Sequence, residues 1–221
     1  MNPANELAVL ISGGLDSAIL LGDSARRGAV VHPIYVREGL RWESAEVDHL
    51  RRYLAALPGR GIRPLHMLEQ PLADLLAGHW SVDGDGIPDA STPDSAVFLP
   101  ARNVLLLAQA MLWCHLHRVP RLALAVLKSN PFPDATPAFF DDFSAAVNRG
   151  IGSRVEVVRP FAGMGKEEVM ELGRGLPLQW TFSCIRPVGG VHCGACNKCH
   201  ERREAFLLSG LADPTPYAGG A

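Results

Sequence analysis

Apolar residues along this chain fall into two alternating patterns: short unbroken runs, and longer stretches in which they recur every third or fourth position. The run Leu7-Ala8-Val9-Leu10-Ile11 has the length and continuity of a strand covered on both faces, and it stops at Ser12-Gly13-Gly14. A second run, Val30-Val31-His32-Pro33-Ile34-Tyr35-Val36, follows a helical stretch over 17–27 that Gly28 ends. Val47, Leu50, Leu54 and Leu57 mark an amphipathic helix over 43–57, and residues 63–68 supply a third strand. Between 78 and 95 the periodicity dissolves into Gly, Asp, Ser and Pro, which predicts a long loop of the kind that serves as a lid or binding segment. A helix over 103–116, a strand over 122–126, a proline-rich loop to 137, a helix to 148 and a strand over 155–158 continue the alternation. This order predicts an α/β fold, a doubly wound and mostly parallel sheet with helices on both faces. After residue 175 the character changes to a Cys-rich turn region, a helix over 198–208 and a Gly/Pro-rich tail. The expected organisation is therefore an α/β domain over 1–175 and a small annex over 176–221.

Composition narrows the classes. The chain has 221 residues, 48% of them hydrophobic and 20% charged, enough for one core and far from disorder or a coiled coil. Its net charge of −2 argues against a dedicated nucleic-acid binder. No run approaches the ~20 apolar residues that span a bilayer. The start Met1-Asn2-Pro3-Ala4-Asn5-Glu6 lacks the basic opening of a secretory signal, so a cytoplasmic location is expected.

Four of the five cysteines cluster as Cys184-x8-Cys193-x2-Cys196-x2-Cys199. In a reducing compartment such spacing points to metal and not to disulfides. Two Cys-x2-Cys steps suit tetrahedral Zn²⁺, and four thiolates leave no open position, so one structural zinc is expected, with an iron–sulfur cluster as the rival. His192 and His200 adjoin the ligands and could replace one of them. Cys114 stands alone in Met111-Leu112-Trp113-Cys114 and reads as a buried hydrophobe.

Ser12-Gly13-Gly14-Leu15-Asp16-Ser17 lies between a strand and a helix, where unpaired amides of the first helical turn face an incoming anion. Glycines let the backbone approach phosphate oxygens, and serine hydroxyls add donors. Neither the Gly-x4-Gly-Lys-Ser/Thr loop nor the Gly-x-Gly-x-x-Gly fingerprint is present. Arg102 opens a helix after the long loop, where a guanidinium fork suits phosphate or carboxylate. Lys166 opens another helix, where a solvated surface role is the ordinary one, and Asp134 in Pro131-Phe132-Pro133-Asp134 is ordinarily a turn residue. Asp83-Gly84-Asp85-Gly86 lacks the spaced ligand set of a calcium loop.

The hexapeptide resembles the loop of the ATP pyrophosphatases, or PP-loop enzymes, which share an adenine nucleotide alpha hydrolase-like fold. Combined with the cysteine array, it resembles the 7-cyano-7-deazaguanine synthases of the queuosine pathway. Leu99-Pro100-Ala101-Arg102-Asn103 is similar to that family's Pro-Gly-Arg-Asn segment. Gly165-Lys166-Glu167-Glu168, Thr181-Phe182-Ser183-Cys184, the later cysteines with Arg202-Arg203 and Phe206, and Asp213-Pro214-Thr215 with Tyr217 have counterparts too. The resemblance implies an ATP-dependent ligase that adenylates a carboxylate, 7-carboxy-7-deazaguanine, and converts it with ammonia to amide and nitrile. It implies ATP contacts at Ile11, Ser12, Gly13, Gly14, Leu15, Asp16, Ser17 and Ala18, with Mg²⁺ offsetting phosphate charge. Asp16, Arg102 and Lys166 become candidate catalytic residues, and Asn130, Phe132 and Asp134 candidate substrate contacts. The partners implied are a deazapurine and ammonia, with a homodimer consistent with the family. The chain departs from the family at Lys128-Ser129-Asn130-Pro131-Phe132-Pro133-Asp134-Ala135-Thr136-Pro137-Ala138-Phe139 and at Tyr35-Val36-Arg37-Glu38-Gly39, and Ala101 stands where the family has glycine. Two other readings stay open: capture of the adenylate by another amine, such as a protein amino group, and a nucleotide- or RNA-binding module without turnover.

Overall fold

The computed structural model describes residues 5–58 and 61–218. Strands β1 (Glu6–Leu10), β2 (Val30–Arg37), β3 (His66–Glu69), β4 (Arg121–Ala123) and β5 (Glu156–Val158) form one sheet in the order β3-β2-β1-β4-β5. Every neighbouring pair is parallel. Helices α1 (Leu15–Arg26), α2 (Glu43–Ala56), α3 (Arg102–His117), α4 (Pro137–Ile151), α5 (Lys166–Leu172) and α6 (Asn197–Ser209) connect and cover it. Their ends lie within a few residues of the expected ones. The pleat of β1 shows why both faces are apolar: Leu7 and Val9 enter the cluster that includes Leu20, Leu50 and Phe206, while Ala8 and Leu10 enter the one that includes Leu107, Met111 and Phe140. Cys114 lies in that second cluster, fully buried, its thiol pushed up to about 12 by burial.

Chain order reverses between β1 and β4, so the loops leaving these adjacent strands diverge and open a crevice at their carboxyl ends. A third cluster roofs this end of the sheet. Leu40, Trp42, Leu99, Phe182, Ile185 and the cysteines Cys184, Cys196 and Cys199 pack there, with Trp80 and Val97 against them. Residues 88–92 of the long loop between β3 and α3 are fastened to the cysteine region. Asp89 forms a β-bridge with Cys196, the Asn197 amide donates to Pro88 O at 3.0 Å, and the Asn197 side chain donates to Thr92 O at 2.8 Å. Asp83 within it is a turn residue, its carboxylate taking the Gly78 amide at 2.6 Å.

Residues after 175 also reach the α/β core, because α6 sends Ala205 and Phe206 into the cluster around α1. The guanidinium of Arg202, 1% exposed, donates to Thr215 Oγ1 (2.6 Å), Thr181 Oγ1 (2.8 Å) and Leu178 O (3.1 Å) and lies over the Phe206 ring. It ties the tail, α6 and the 3₁₀ turn Leu178–Trp180 together.

Ala101, before α3, has φ 59°, a left-handed conformation that costs a residue with a Cβ roughly 1–2 kcal/mol. Glycine removes that strain but frees the unfolded chain. Ala101→Gly is expected to raise stability by about 0.5–1 kcal/mol, read as a higher urea midpoint at unchanged slope; a lower midpoint refutes the strain argument.

Candidate active site and metal centre

The crevice holds a cavity of about 330 Å³. Its polar end is the loop after β1. Gly13 has φ +81°, and a Cβ there would meet Glu46 Cγ at 3.2 Å, so the turn requires glycine on two counts. The Gly13 carbonyl accepts the Phe182 amide at 2.7 Å, which locks the loop to the segment carrying the first clustered cysteine. Ser17 Oγ accepts the Ser12 amide at 3.2 Å and donates to Gly14 O at 3.3 Å, so the serines brace the turn from within. Ile11, Ser12, Gly14, Leu15, Asp16 and Ser17 line the cavity. Ala18 is completely buried, its carbonyl taken by the Tyr53 hydroxyl at 2.6 Å, and it contributes packing and not a cavity wall.

Lys166 reaches the same wall from α5. Its Nζ lies 2.9 Å from each Asp16 oxygen and 3.3 Å from Glu201 Oε1, and Lys198 pairs with the other oxygen of Glu201. Burial alone would weaken the lysine charge, but the attraction of Asp16 and Glu201 prevails and raises its pKa above the ordinary lysine value. This is no solvated surface lysine. Opposite, Arg102 Nη2 lies 2.7 Å from Glu38 Oε2, and Glu38 is 2% exposed. The guanidinium therefore faces the cavity already braced by a carboxylate.

Asn130 and Phe132 line the cavity beneath the end of β4, Asn130 Oδ1 taking the Phe132 amide at 3.0 Å. Asp134 does not join them. Its Oδ2 accepts the Asn103 amide at 3.0 Å and its carbonyl accepts the Asn103 side chain, so this buried carboxylate caps the start of α3 and aims Arg102. The carboxylate expected to contact substrate is thus engaged in capping α3, and Asp134 is not among the residues that line the cavity.

Sequence reasoning missed one group of residues. Tyr35, Trp42, Glu46, Trp80, Lys198, Glu201 and Arg202 all line the cavity. Trp42 and Trp80 stack at 5.8 Å between ring centres. Glu46 is buried one turn into α2 and takes the Tyr35 hydroxyl at 2.6 Å. An acid three positions after Glu43, next to Val47 and four positions before Leu50 on the apolar face of the helix, was the available signal.

The four clustered thiols have all their sulfurs within 4.8 Å of one another, with Cys184–Cys196 and Cys193–Cys199 each at 3.9 Å. Tetrahedral coordination at ~2.3 Å per sulfur sets an edge of about 3.8 Å, so the set fits one mononuclear ion. Amides of Arg186 and Cys193 point at Cys184 Sγ, and those of Ala195 and Cys196 at Cys193 Sγ, which favours thiolates. His192 is buried and uses Nε2 to accept the Ser183 amide, while His200 pairs with Glu204; neither joins the sulfur cluster.

A doubly wound sheet whose first strand delivers a Ser-Gly-Gly-Leu-Asp-Ser turn into a crevice flanked by braced cations defines a nucleotide-binding enzyme fold of the PP-loop type. More narrowly, the chain belongs to the family described as queuosine biosynthesis protein QueC, whose model matches residues 6–210. It is 32% identical to the 7-cyano-7-deazaguanine synthase of Thiobacillus denitrificans (strain ATCC 25259 / T1), over 95% of this chain and 97% of that one. It is 31% identical to the enzyme of the same name from Methanothermobacter thermautotrophicus (strain ATCC 29096 / DSM 1053 / JCM 10044 / NBRC 100330 / Delta H), over 94% and 97%. Among solved structures, the NMN synthetase from Francisella tularensis aligns with 95% of this chain and 79% of its own at 14% identity and a TM-score of 0.48. No helix among the described residues is long and apolar enough to cross a membrane.

Proposed function

We propose that this protein is an ATP-dependent carbon–nitrogen ligase that converts 7-carboxy-7-deazaguanine and ammonia to 7-cyano-7-deazaguanine through the amide, releasing AMP and pyrophosphate. The observation that carries the reading is the family match across residues 6–210, which takes in both the phosphate loop and the four cysteines. Ser12, Gly14 and Ser17 offer amides and hydroxyls to the pyrophosphate, and Gly13 gives the turn its shape. Asp16 is the loop's carboxylate for Mg²⁺, which supplies charge neutralisation when bound. Lys166 and Arg102 are fixed cations on opposite walls, placed to stabilise charge that develops as the α-phosphorus bond changes. No protein nucleophile is required, because the acyl adenylate is itself activated. Asn130 and Phe132, with the stacked Trp42 and Trp80, form a cleft suited to a flat heterocycle. Zn²⁺ fits the cysteine set and has a structural part. A homodimer accords with the family resemblance.

The test is incubation with ATP, Mg²⁺ and 7-carboxy-7-deazaguanine, with and without ammonium, following AMP and product mass. Ammonium-dependent conversion of the carboxylate to the nitrile is expected. AMP formation that ignores this carboxylate overturns the reading.

A further inference from the structure

Glu46 is 6% exposed, and its stem lies against the phosphate loop, as the 3.2 Å approach of Cγ to a Cβ built on Gly13 shows. Other carboxylates around the cavity already hold cations. Glu38 binds Arg102, Glu43 binds Arg37 and the amides of Glu38 and Gly39, and Asp16 and Glu201 share Lys166. The hydrogen-bond partner of Glu46 is a neutral hydroxyl, that of Tyr35 on Oε2, and Glu46 lines the cavity. Around it stand the buried carboxylates Glu38 and Glu43 with two guanidiniums, Arg102 and Arg37, the latter shared with the exposed Glu69, so ionising Glu46 adds a carboxylate to a region whose guanidiniums are already paired. Glu38 Oε1 is moreover buried without a hydrogen-bond partner.

Resting on the ligase reading above, we infer that Glu46 receives ammonium and acts as the proton acceptor that releases ammonia against the acyl adenylate. Ammonium gives one proton to the Glu46 carboxylate. The lone pair so freed forms the C–N bond to the acyl carbon, and the C–O bond to AMP breaks with its electron pair leaving on the phosphate. The second proton, lost as the amide nitrogen becomes neutral, departs with AMP or to water. The groups that face Glu46 tune it for the task. Burial pushes its carboxyl up to about 8, Arg102 and the Tyr35 hydroxyl pull the other way, and Glu38 and Glu43 add to the rise. That brings its proton affinity nearer to that of ammonia than an exposed carboxylate can come.

The reaction divides into two assays. Carboxylate-dependent exchange of labelled pyrophosphate into ATP needs no ammonia, whereas amide formation does. For Glu46→Gln, amide formation at saturating carboxylate is expected to fall by roughly 10²–10⁴, far more than exchange. The residual rate should follow free ammonia, rising about tenfold per pH unit, while the parent's ammonium-dependent rate levels off above its apparent pKa. Glu46→Asp, with a shorter carboxylate, should regain part of the ammonium-dependent rate and the levelling profile. Equal loss of both half-reactions in Glu46→Gln, or a parent rate that tracks free ammonia throughout, overturns the inference and leaves the ligase reading standing. Absence of exchange in the parent overturns the ligase reading and this inference with it.

Discussion

Lys166→Met is expected to reduce the carboxylate-dependent exchange of pyrophosphate into ATP by about 10³, equivalent to roughly 4 kcal/mol of transition-state stabilisation. The lysine is one fifth exposed and its ammonium lies between Asp16 of the loop and Glu201 of α6, so its position is set by three elements before any substrate arrives. A cation held in that way loses no orientation as charge builds on the phosphate, whereas a mobile surface lysine would. Removing it leaves Asp16 and Glu201 facing the phosphates with one fewer counter-charge. Binding of ATP should weaken as well, but kcat should fall further than KM rises, since the interaction strengthens with the charge that develops. Lys166→Arg keeps the charge in a broader fork and should recover part of the rate. Less than a tenfold loss in the methionine variant would remove Lys166 from the catalytic group.

A larger effect is expected from Cys199→Ser. With Zn²⁺ bound as proposed, each thiolate would complete a tetrahedron, and structural zinc sites contribute on the order of 10 kcal/mol or more to the fold that holds them. The parent should carry close to one zinc per chain by elemental analysis and the variant almost none. Melting should fall by more than ~10 °C, given a few degrees per kcal/mol in a chain of this size. Activity should go with it, because Lys198 sits between the clustered cysteines Cys196 and Cys199, and Glu201 follows one turn later on α6. Cys114→Ser tests that the effect belongs to the cluster: its cysteine lies in the opposite core, so the metal content should be unchanged. Retention of zinc by Cys199→Ser would show that the cluster is not the site.

The phosphate loop, the sheet and the cysteines were legible because each rests on local pattern: an apolar run ending in Gly-Gly, the alternation of strand and helix, and ligand spacing along the chain. The capping role of Asp134 was not legible because a Pro-Asp turn looks the same in sequence whether or not its carboxylate takes the amide of a helix that starts about 31 residues upstream. Lys166 was hard to weigh because a lysine opening a helix is ordinarily solvated, and its two carboxylate partners lie 150 positions before it and 35 after. Glu46 escaped for a related reason. Its burial depends on Tyr35, on the loop's glycine and on Arg102 arriving from three different elements, none of which the helical pattern of α2 discloses.

The stitching of the long loop to the cysteine region carries a consequence for how the molecule is made. Gly13 is held by Phe182, and residues 88–92 are held by 195–197, so the cavity's walls near the amino terminus are shaped by residues from the last fifth of the chain. A ribosome producing this protein releases the phosphate loop early and its clamps nearly last. Until the cysteine region has emerged, the growing polypeptide lacks the contacts that hold Gly13 and residues 88–92 in place. Loss of a few dozen carboxyl-terminal residues by premature termination should therefore yield an inert product and not a weakly active one.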